Sequence, residues 1–248
     1  FMSVAGYPLI YLFEKIFSLV SNSKLVELSD TSNKLLRQLA DKAPGTFQHS
    51  LQVMNLADAA ARSIDANVLL VRAGALYHDI GKLRCPECYT ENQTSETKDY
   101  HSRFSPKESK DMIFSHITEG VQIAKANKLP VEIIDVIRQH HGTSAVQYFY
   151  NKALQIDPLT NIDDFRYPGP NPQTKEAGII LLADCIEASV RSLDEKNHVT
   201  IKAQIEKMFK ARMDDGELDD CELTLRDINT LKHSFLDTLT AVYHTRIK

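Results

Sequence analysis

Five short stretches of this 248-residue chain gather side chains that bind metals or move protons. His49 precedes a helical pattern, and His78-Asp79 is followed by Ile80-Gly81-Lys82. His116 sits in SHITEGV, His140-His141 is followed by Gly142, and Asp184 lies within IILLADCIEAS. A lone histidine on an apolar face is more often a hydrogen-bonded core residue, and one His-Asp dipeptide arises by chance. Asp184 carries more information, because apolar residues occupy nearly every helical face around it. A buried carboxylate is costly unless it is paired or bound to a metal. A partner such as Arg191, or a helix cap, would satisfy it; five histidines placed elsewhere make a metal the better partner. In chain order, His49, His78, Asp79, His116, His140, His141 and Asp184 offer seven ligands, enough for two ions if one carboxylate bridges. Imidazole with carboxylate suits Mn, Fe, Zn or Ni. Two such ions about 3.5–4 Å apart hold a hydroxide and clamp the attacking and leaving oxygens of a phosphoryl transfer.

Helices must position these groups, and helix ends suit adjacent pairs, because there two consecutive side chains can converge. Leu51, Met54, Ala57 and Ala61 share one face of a helix that His49 is expected to begin. Val68, Leu69, Val71, Arg72, Ala75 and Leu76 predict the next helix, ending near His78. Ser105-Pro106-Lys107-Glu108 has the spacing of a capping box with proline in the first turn. His116 is read as beginning a helix of its own. Pro130 opens VEIIDVIRQHH, which Gly142 can end. Residues 176–193 predict a further apolar helix, and Thr224-Leu225-Arg226-Asp227 starts a last one running toward His244. Residues 85–107 and 156–174 read as loops, the second carrying the extended or turning FRYPGPNP. The class is all-α. The acidic DDGELDDCE lacks the ligand spacing of a calcium loop and reads as a solvated turn. His101 reads as a solvated loop residue; His233 and His244 fall on the last helix, in packing or surface roles.

Composition sets the bounds. At 43% hydrophobic and 25% charged, the chain is neither disordered nor disulfide-dense. Its length fits one large domain, or one with a short appendage, which buries roughly 75% of the unfolded surface without staples. A net charge of -4 argues against a broad nucleic-acid face but leaves room for a small anionic substrate. Of four cysteines, only Cys85-Pro86-Glu87-Cys88 has metal or redox spacing, and one such pair is half a zinc site. A reduced chain and a local loop variation are the simpler reading; a second metal site or a redox clip is the alternative. Phe1 ahead of Met2 reads as a tag scar on a fragment. Residues 4–20 are mostly apolar, but Pro8, Glu14 and Lys15 interrupt a run too short to span a bilayer. They read as a packed amphipathic helix or a juxtamembrane segment.

HDIGK with an upstream histidine and a downstream aspartate resembles the HD phosphohydrolase superfamily, and His116 with His140-His141 resembles its two-metal branch. KAPGTFQHSLQV, YHDIGK, ENQ, IRQHHGTSAVQYFY, FRYPGPNPQTKEA, LADCIEASVRSL and ELTLRDI together resemble the cytoplasmic HD domain of PgpH-type seven-transmembrane HD proteins, from about residue 27 onward. The resemblance implies an all-α helical bundle with a two-metal site in its core. Residues 1–28 would be a juxtamembrane linker helix and 29–248 the HD domain. It also implies hydrolysis of cyclic-di-AMP to linear pApA by two divalent transition metals, Mn or Fe, and no polymeric nucleic acid as partner. The fragment would be a soluble cytoplasmic part of a protein held in the membrane by segments that precede it. Carried over, one ion would take His49, His78, Asp79 and Asp184; the other would take Asp79, His116, His140 and His141. Asp79 and Lys82 would carry catalysis, with Lys82 reaching a phosphate oxygen. Thr143 and Ser144 would donate to phosphate or base, or cap the next helix; Arg191 would meet a phosphate or Glu187. The chain departs from the family at Cys85-Pro86-Glu87-Cys88, and HHGTS stands in place of the HD-GYP signature, against the cyclic-di-GMP branch. Action on cyclic-di-GMP or another nucleotide, or a non-hydrolysing dinucleotide sensor, are the competing functions.

Overall fold

Most helices begin where the sequence supplies a cap. The computed structural model describes residues 20–244, which hold ten α-helices and no strands. Ser21 caps α1 (Asn22–Leu28), Asn33 caps α2 (Lys34–Lys42), and Pro44 opens α3 (Pro44–Ser63). Asn67 caps α4 (Val68–Tyr77), and the capping box of Ser105 and Glu108 forms as expected at α5 (Pro106–Ala126). Then come α6 (Val131–Gln139), α7 (Gln147–Ile156), and α8 (Lys175–Arg191), capped by Thr174. Asn197 caps α9 (His198–Asp214), and Thr224 exchanges hydrogen bonds with Asp227 at the start of α10 (Leu225–His244).

Helix α8 runs through the centre, packed on α3, α4, α6 and α9. Its Ile179, Ile180, Leu182 and Ile186 are fully buried, and each such side chain stabilises the fold by about 1.5–3 kcal/mol. Leu36, Leu39, Val53, Leu76, Ile137, Phe209 and Phe235 complete the same cluster. Phe149, Ala153 and Phe165 form a smaller one under the second loop. Leu25 and Leu28 are buried in the main core, so residues 22–28 pack on the domain although they fall in the stretch read as linker. Residues 4–19 of the apolar N-terminal run lie outside the described residues. No described helix is long and apolar enough to cross a membrane.

Two helix starts differ from expectation. His49 lies in the second turn of α3, because the helix begins at Pro44, whose fixed φ and missing N–H suit that place. His116 lies in the middle of α5, which propagates unbroken from its cap at Ser105. Helices α2 and α9 arise where no element was marked. The first loop is not open: 3-10 turns form at Pro86–Cys88, Thr90–Asn92 and Tyr100–Arg103. Cys85 and Cys88, read as reduced, are joined in a disulfide across Pro86-Glu87, while Cys185 and Cys221 are free. Their Cα atoms are 5.5 Å apart, within the reach of such a bond. His101, read as solvated, donates from Nε2 to the Cys88 carbonyl at 2.8 Å and is only partly exposed.

Candidate metal centre

The chain leaves the helical path at the end of α4, and this is what brings His78 and Asp79 together. His78 is still helical, with φ -53 and ψ -35. Asp79, at φ -106 and ψ 15, turns into the 3-10 segment Ile80–Arg84. His140 ends α6 in the same way, with His141 in the turn that follows. His49, His78, Asp79, His116, His140 and Asp184 are all buried, and the His141 side chain is 24% exposed.

Asp79 stands in the middle. Its Oδ2 lies 3.2 Å from His78 Nε2 and 3.8 Å from His49 Nε2. Its Oδ1 lies 3.6 Å from His116 Nε2 and 3.7 Å from His140 Nε2. Asp184 closes the ring: Oδ1 is 2.8 Å from His49 Nε2 and 3.8 Å from His78 Nε2, and Oδ2 is 3.5 Å from His141 Nδ1. All seven sequence candidates therefore meet in one cluster, with Asp79, His116, His140 and His141 at one end and His49 and His78 at the other.

The donor set fits divalent cations. His78, His116 and His140 each direct Nδ1 to the carbonyl three residues earlier, at 2.7, 2.5 and 2.9 Å. Those bonds place the proton on Nδ1 and leave Nε2 a bare acceptor. The Nε2 atoms of His116 and His140 then face each other at 3.3 Å, and His78 Nε2 and Asp79 Oδ1 are buried without a hydrogen-bond partner. Buried acceptors facing one another are costly unless a cation lies between them. Burial drives the His116 imidazole down to about 3 and that of His141 well below its ordinary value, so both are neutral at pH 7. Burial works against the Asp79 carboxylate, but Lys82 and His78 outweigh it and hold the group well below the usual range. Burial likewise opposes a charged His49, yet hydrogen bonds to Asp184 and Glu187 lift it to about 9.

The other candidates are already engaged. Lys82 Nζ is 2.7 Å from Asp79 Oδ2 and 2.8 Å from Glu91 Oε1, and it lies 4.8 Å over the Tyr89 ring. Thr143 donates its N–H and its hydroxyl to Glu217, and the Ser144 hydroxyl donates to the His141 carbonyl. Arg191 Nη1 is 3.8 Å from Glu187 Oε2, not beside Asp184, and borders a cavity of about 520 Å³. His49, Gln52, Glu91 and Glu187 also line that cavity, which makes it a route to the cluster.

The HD domain family profile matches residues 46–189, a span that holds all seven clustered residues. The chain belongs to the HD domain family. Its helical bundle is of the PgpH type. The L. monocytogenes PgpH HD domain, solved in complex with cyclic-di-AMP, is similar with a TM-score of 0.82 and 44% identity over 86% of this chain and 99% of that one. The cyclic-di-AMP phosphodiesterase PgpH of Listeria monocytogenes is 44% identical over 99% of this chain and 34% of its own length. The protein of that name from Bacillus subtilis is 40% identical over 99% and 34%. This HD domain therefore spans about a third of the length of these curated relatives.

Several residues of the HD domain centre escaped sequence reasoning. Glu187 Oε2 accepts from His49 Nδ1 at 2.6 Å; the clue was its place one turn after Asp184, on the same face of α8. Glu91 holds Lys82, and its own backbone is held against α3: a Cβ on Gly45 would lie 1.9 Å from Glu91 O. Tyr167 stacks on His141 with ring centroids 4.4 Å apart. No local pattern marks Tyr167, which arrives on the proline-rich segment from a distant part of the chain.

Proposed function

We propose that this HD domain is a metal-dependent phosphodiesterase that hydrolyses cyclic-di-AMP to linear pApA. The observation that carries the reading is the Asp79 carboxylate, whose two oxygens face two different sets of imidazoles. The similarity to a PgpH HD domain solved with cyclic-di-AMP supports the choice of substrate. His49, His78, Asp79 and Asp184 would hold one ion, and Asp79, His116, His140 and His141 the other, with Mn or Fe as the metal. When bound, two divalent ions supply charge neutralisation for the phosphoryl oxygens and a water of lowered pKa.

The reaction adds one water across one P–O3′ bond: the water oxygen joins phosphorus, and the departing 3′ oxygen takes a proton. Lys82 keeps the Asp79 carboxylate charged and fixed by its 2.7 Å ion pair. A phosphate oxygen reaching that ammonium competes with Glu91 for it. Arg191, with its side chain 43% exposed at the cavity wall and 3.8 Å from Glu187, would turn to take a second phosphate. In the whole protein, the segment before residue 29 would join the domain to membrane helices, with the domain on the cytoplasmic side.

The test incubates the domain with cyclic-di-AMP and with cyclic-di-GMP, with Mn²⁺ or with a chelator, and separates the products by chromatography. Metal-dependent formation of pApA, with cyclic-di-GMP consumed much more slowly, is the expected result. Unchanged cyclic-di-AMP in a metal-loaded sample would overturn it and favour a sensor. Glu187→Ala, which strips His49 Nδ1 of its carboxylate, is expected to weaken Mn²⁺ binding about 10–100-fold in calorimetric titration. Wild-type affinity in that variant would remove Glu187 from the centre.

A further inference from the structure

Glu217 is fully buried and plays no part in the chemistry above. It belongs to the acidic stretch DDGELDDCE, which its sequence marks as a solvated turn. Asp214, Asp215, Asp219 and Asp220 are indeed exposed. Glu217 turns the other way. Gly216, at φ +71, reverses the chain after α9, and the Glu217 N–H donates to the Arg212 carbonyl at 3.0 Å. Its carboxylate thereby reaches a turn 74 residues earlier: Oε2 accepts the Thr143 N–H at 2.8 Å, and Oε1 accepts the Thr143 hydroxyl at 2.8 Å. Gly142, at φ +52, leaves room for this; a Cβ there would lie 1.9 Å from Glu217 Oε2. A buried carboxylate costs stability unless it is hydrogen-bonded, and both of its oxygens are engaged by one residue.

That residue is two positions after His141. The other four histidines of the centre each have Nδ1 anchored, three by carbonyls of their own helices and His49 by Glu187. His141 has no such anchor. Its Nδ1 is 3.5 Å from Asp184 Oδ2, and its ring rests on Tyr167. Its direction is therefore set by the backbone of the turn that carries it. Two elements hold that turn. On one side Tyr167 N–H donates to Ser144 O at 3.0 Å and Arg166 Nη1 to Thr143 O at 3.2 Å. On the other stands Glu217.

We infer that Glu217 is a positioning residue for His141: by clamping Thr143 it fixes residues 142–144 and so aims the one centre histidine whose Nδ1 is unanchored. The inference rests on His141 being a metal ligand, as proposed above, and not on which nucleotide is cut.

The experiment titrates Mn²⁺ into the full chain without nucleotide, and counts ions per chain by elemental analysis. Glu217→Ala is expected to weaken one ion, the one His141 would bind, about 10–100-fold while the other binds as in the wild type. Glu217→Gln keeps an oxygen for the Thr143 N–H and an amide that can donate to the hydroxyl, so it is expected to restore most of that affinity. Phe209→Leu, a core change on a helix that carries none of the seven candidate ligands, serves as the control: it is expected to lower Tm without altering Mn²⁺ binding. If Glu217→Ala does not fold, Glu217→Asp, too short to reach both donors, is read in the same way. Wild-type affinity and stoichiometry in a folded Ala or Asp variant would overturn the inference, as would an equal loss in Phe209→Leu. No Mn²⁺ binding by the wild type would overturn it together with the metal centre. Mn²⁺ binding without cyclic-di-AMP hydrolysis would overturn only the proposed substrate.

Discussion

Asp79→Ala is expected to abolish hydrolysis of cyclic-di-AMP and to leave the chain with fewer than two bound ions. The carboxylate faces three imidazoles closely from the middle of the cluster and a fourth beyond them, with Oδ2 toward His49 and His78 and Oδ1 toward His116 and His140. Its removal leaves His116 and His140 without a carboxylate oxygen and leaves Asp184 as the remaining anion of the cluster. A fall in kcat of about 10³-fold or more is expected, equivalent to roughly 4 kcal/mol of lost transition-state stabilisation. The fold bears a smaller cost. Lys82 loses one of two carboxylate partners but keeps Glu91 at 2.8 Å, so it is not left as a bare buried charge. Circular dichroism should therefore remain native while elemental analysis reports the lost metal. Asp79→Asn separates charge from shape, because it keeps one oxygen and the volume but cannot serve both sides as an anion. Turnover within tenfold of wild type in either variant, or two ions retained in Asp79→Ala, would remove Asp79 from the centre.

The seven candidate ligands were legible because each sits in a short pattern that local physics explains. Two pairs occupy helix ends, and Asp184 interrupts an apolar helix where a carboxylate needs a partner. The helix starts were misread where a ligand was taken as the first residue. The true signals lay upstream, in Pro44 for the helix of His49 and in the capping box of Ser105 for that of His116. Helix α9 was also within reach, since its buried Ile201, Ile205 and Phe209 recur every fourth residue after the cap Asn197. What sequence could not supply were the groups that cross the fold. Tyr167 and Glu217 each act on a residue brought near only by tertiary packing, and Glu91 meets Lys82 through the 3-10 turns that fold the loop between them. Glu217 in particular has four exposed acids around it and nothing local to set it apart. The expected substrate contacts show the same boundary: Thr143 follows the histidine pair as the pattern suggests, yet its hydroxyl is committed to an acid 74 residues away.

Gly81→Ala is expected to damage both the fold and the centre, although it adds one methyl group outside the ligand set. The 3-10 turn Ile80–Arg84 lies against the middle of α5, and a Cβ on Gly81 would fall 1.8 Å from His116 O and 2.6 Å from Gly120 N. Both obstacles are backbone, so no side chain can rotate away. Relief requires the turn and α5 to separate. That movement draws Asp79, two residues before Gly81, away from His116, whose ring nitrogen is 3.6 Å from Asp79 Oδ1. Overpacking of this kind costs about 1–3 kcal/mol or more, and in a domain of this size each kcal/mol lowers Tm by roughly 2–4 °C. Gly178→Ala is the informative contrast. There a Cβ would meet Cys221 Sγ at 3.0 Å and Leu223 Cδ1 at 3.1 Å, both side-chain atoms that can give way, within a helix that favours alanine over glycine. Thermal unfolding and Mn²⁺ titration of the two variants should therefore diverge, with Gly178→Ala close to wild type in both. A Gly81→Ala protein with unchanged Tm and unchanged ion binding would mean that the HD turn and α5 can part without disturbing the centre, and the close approach at Gly81 would then not be what holds Asp79 against His116.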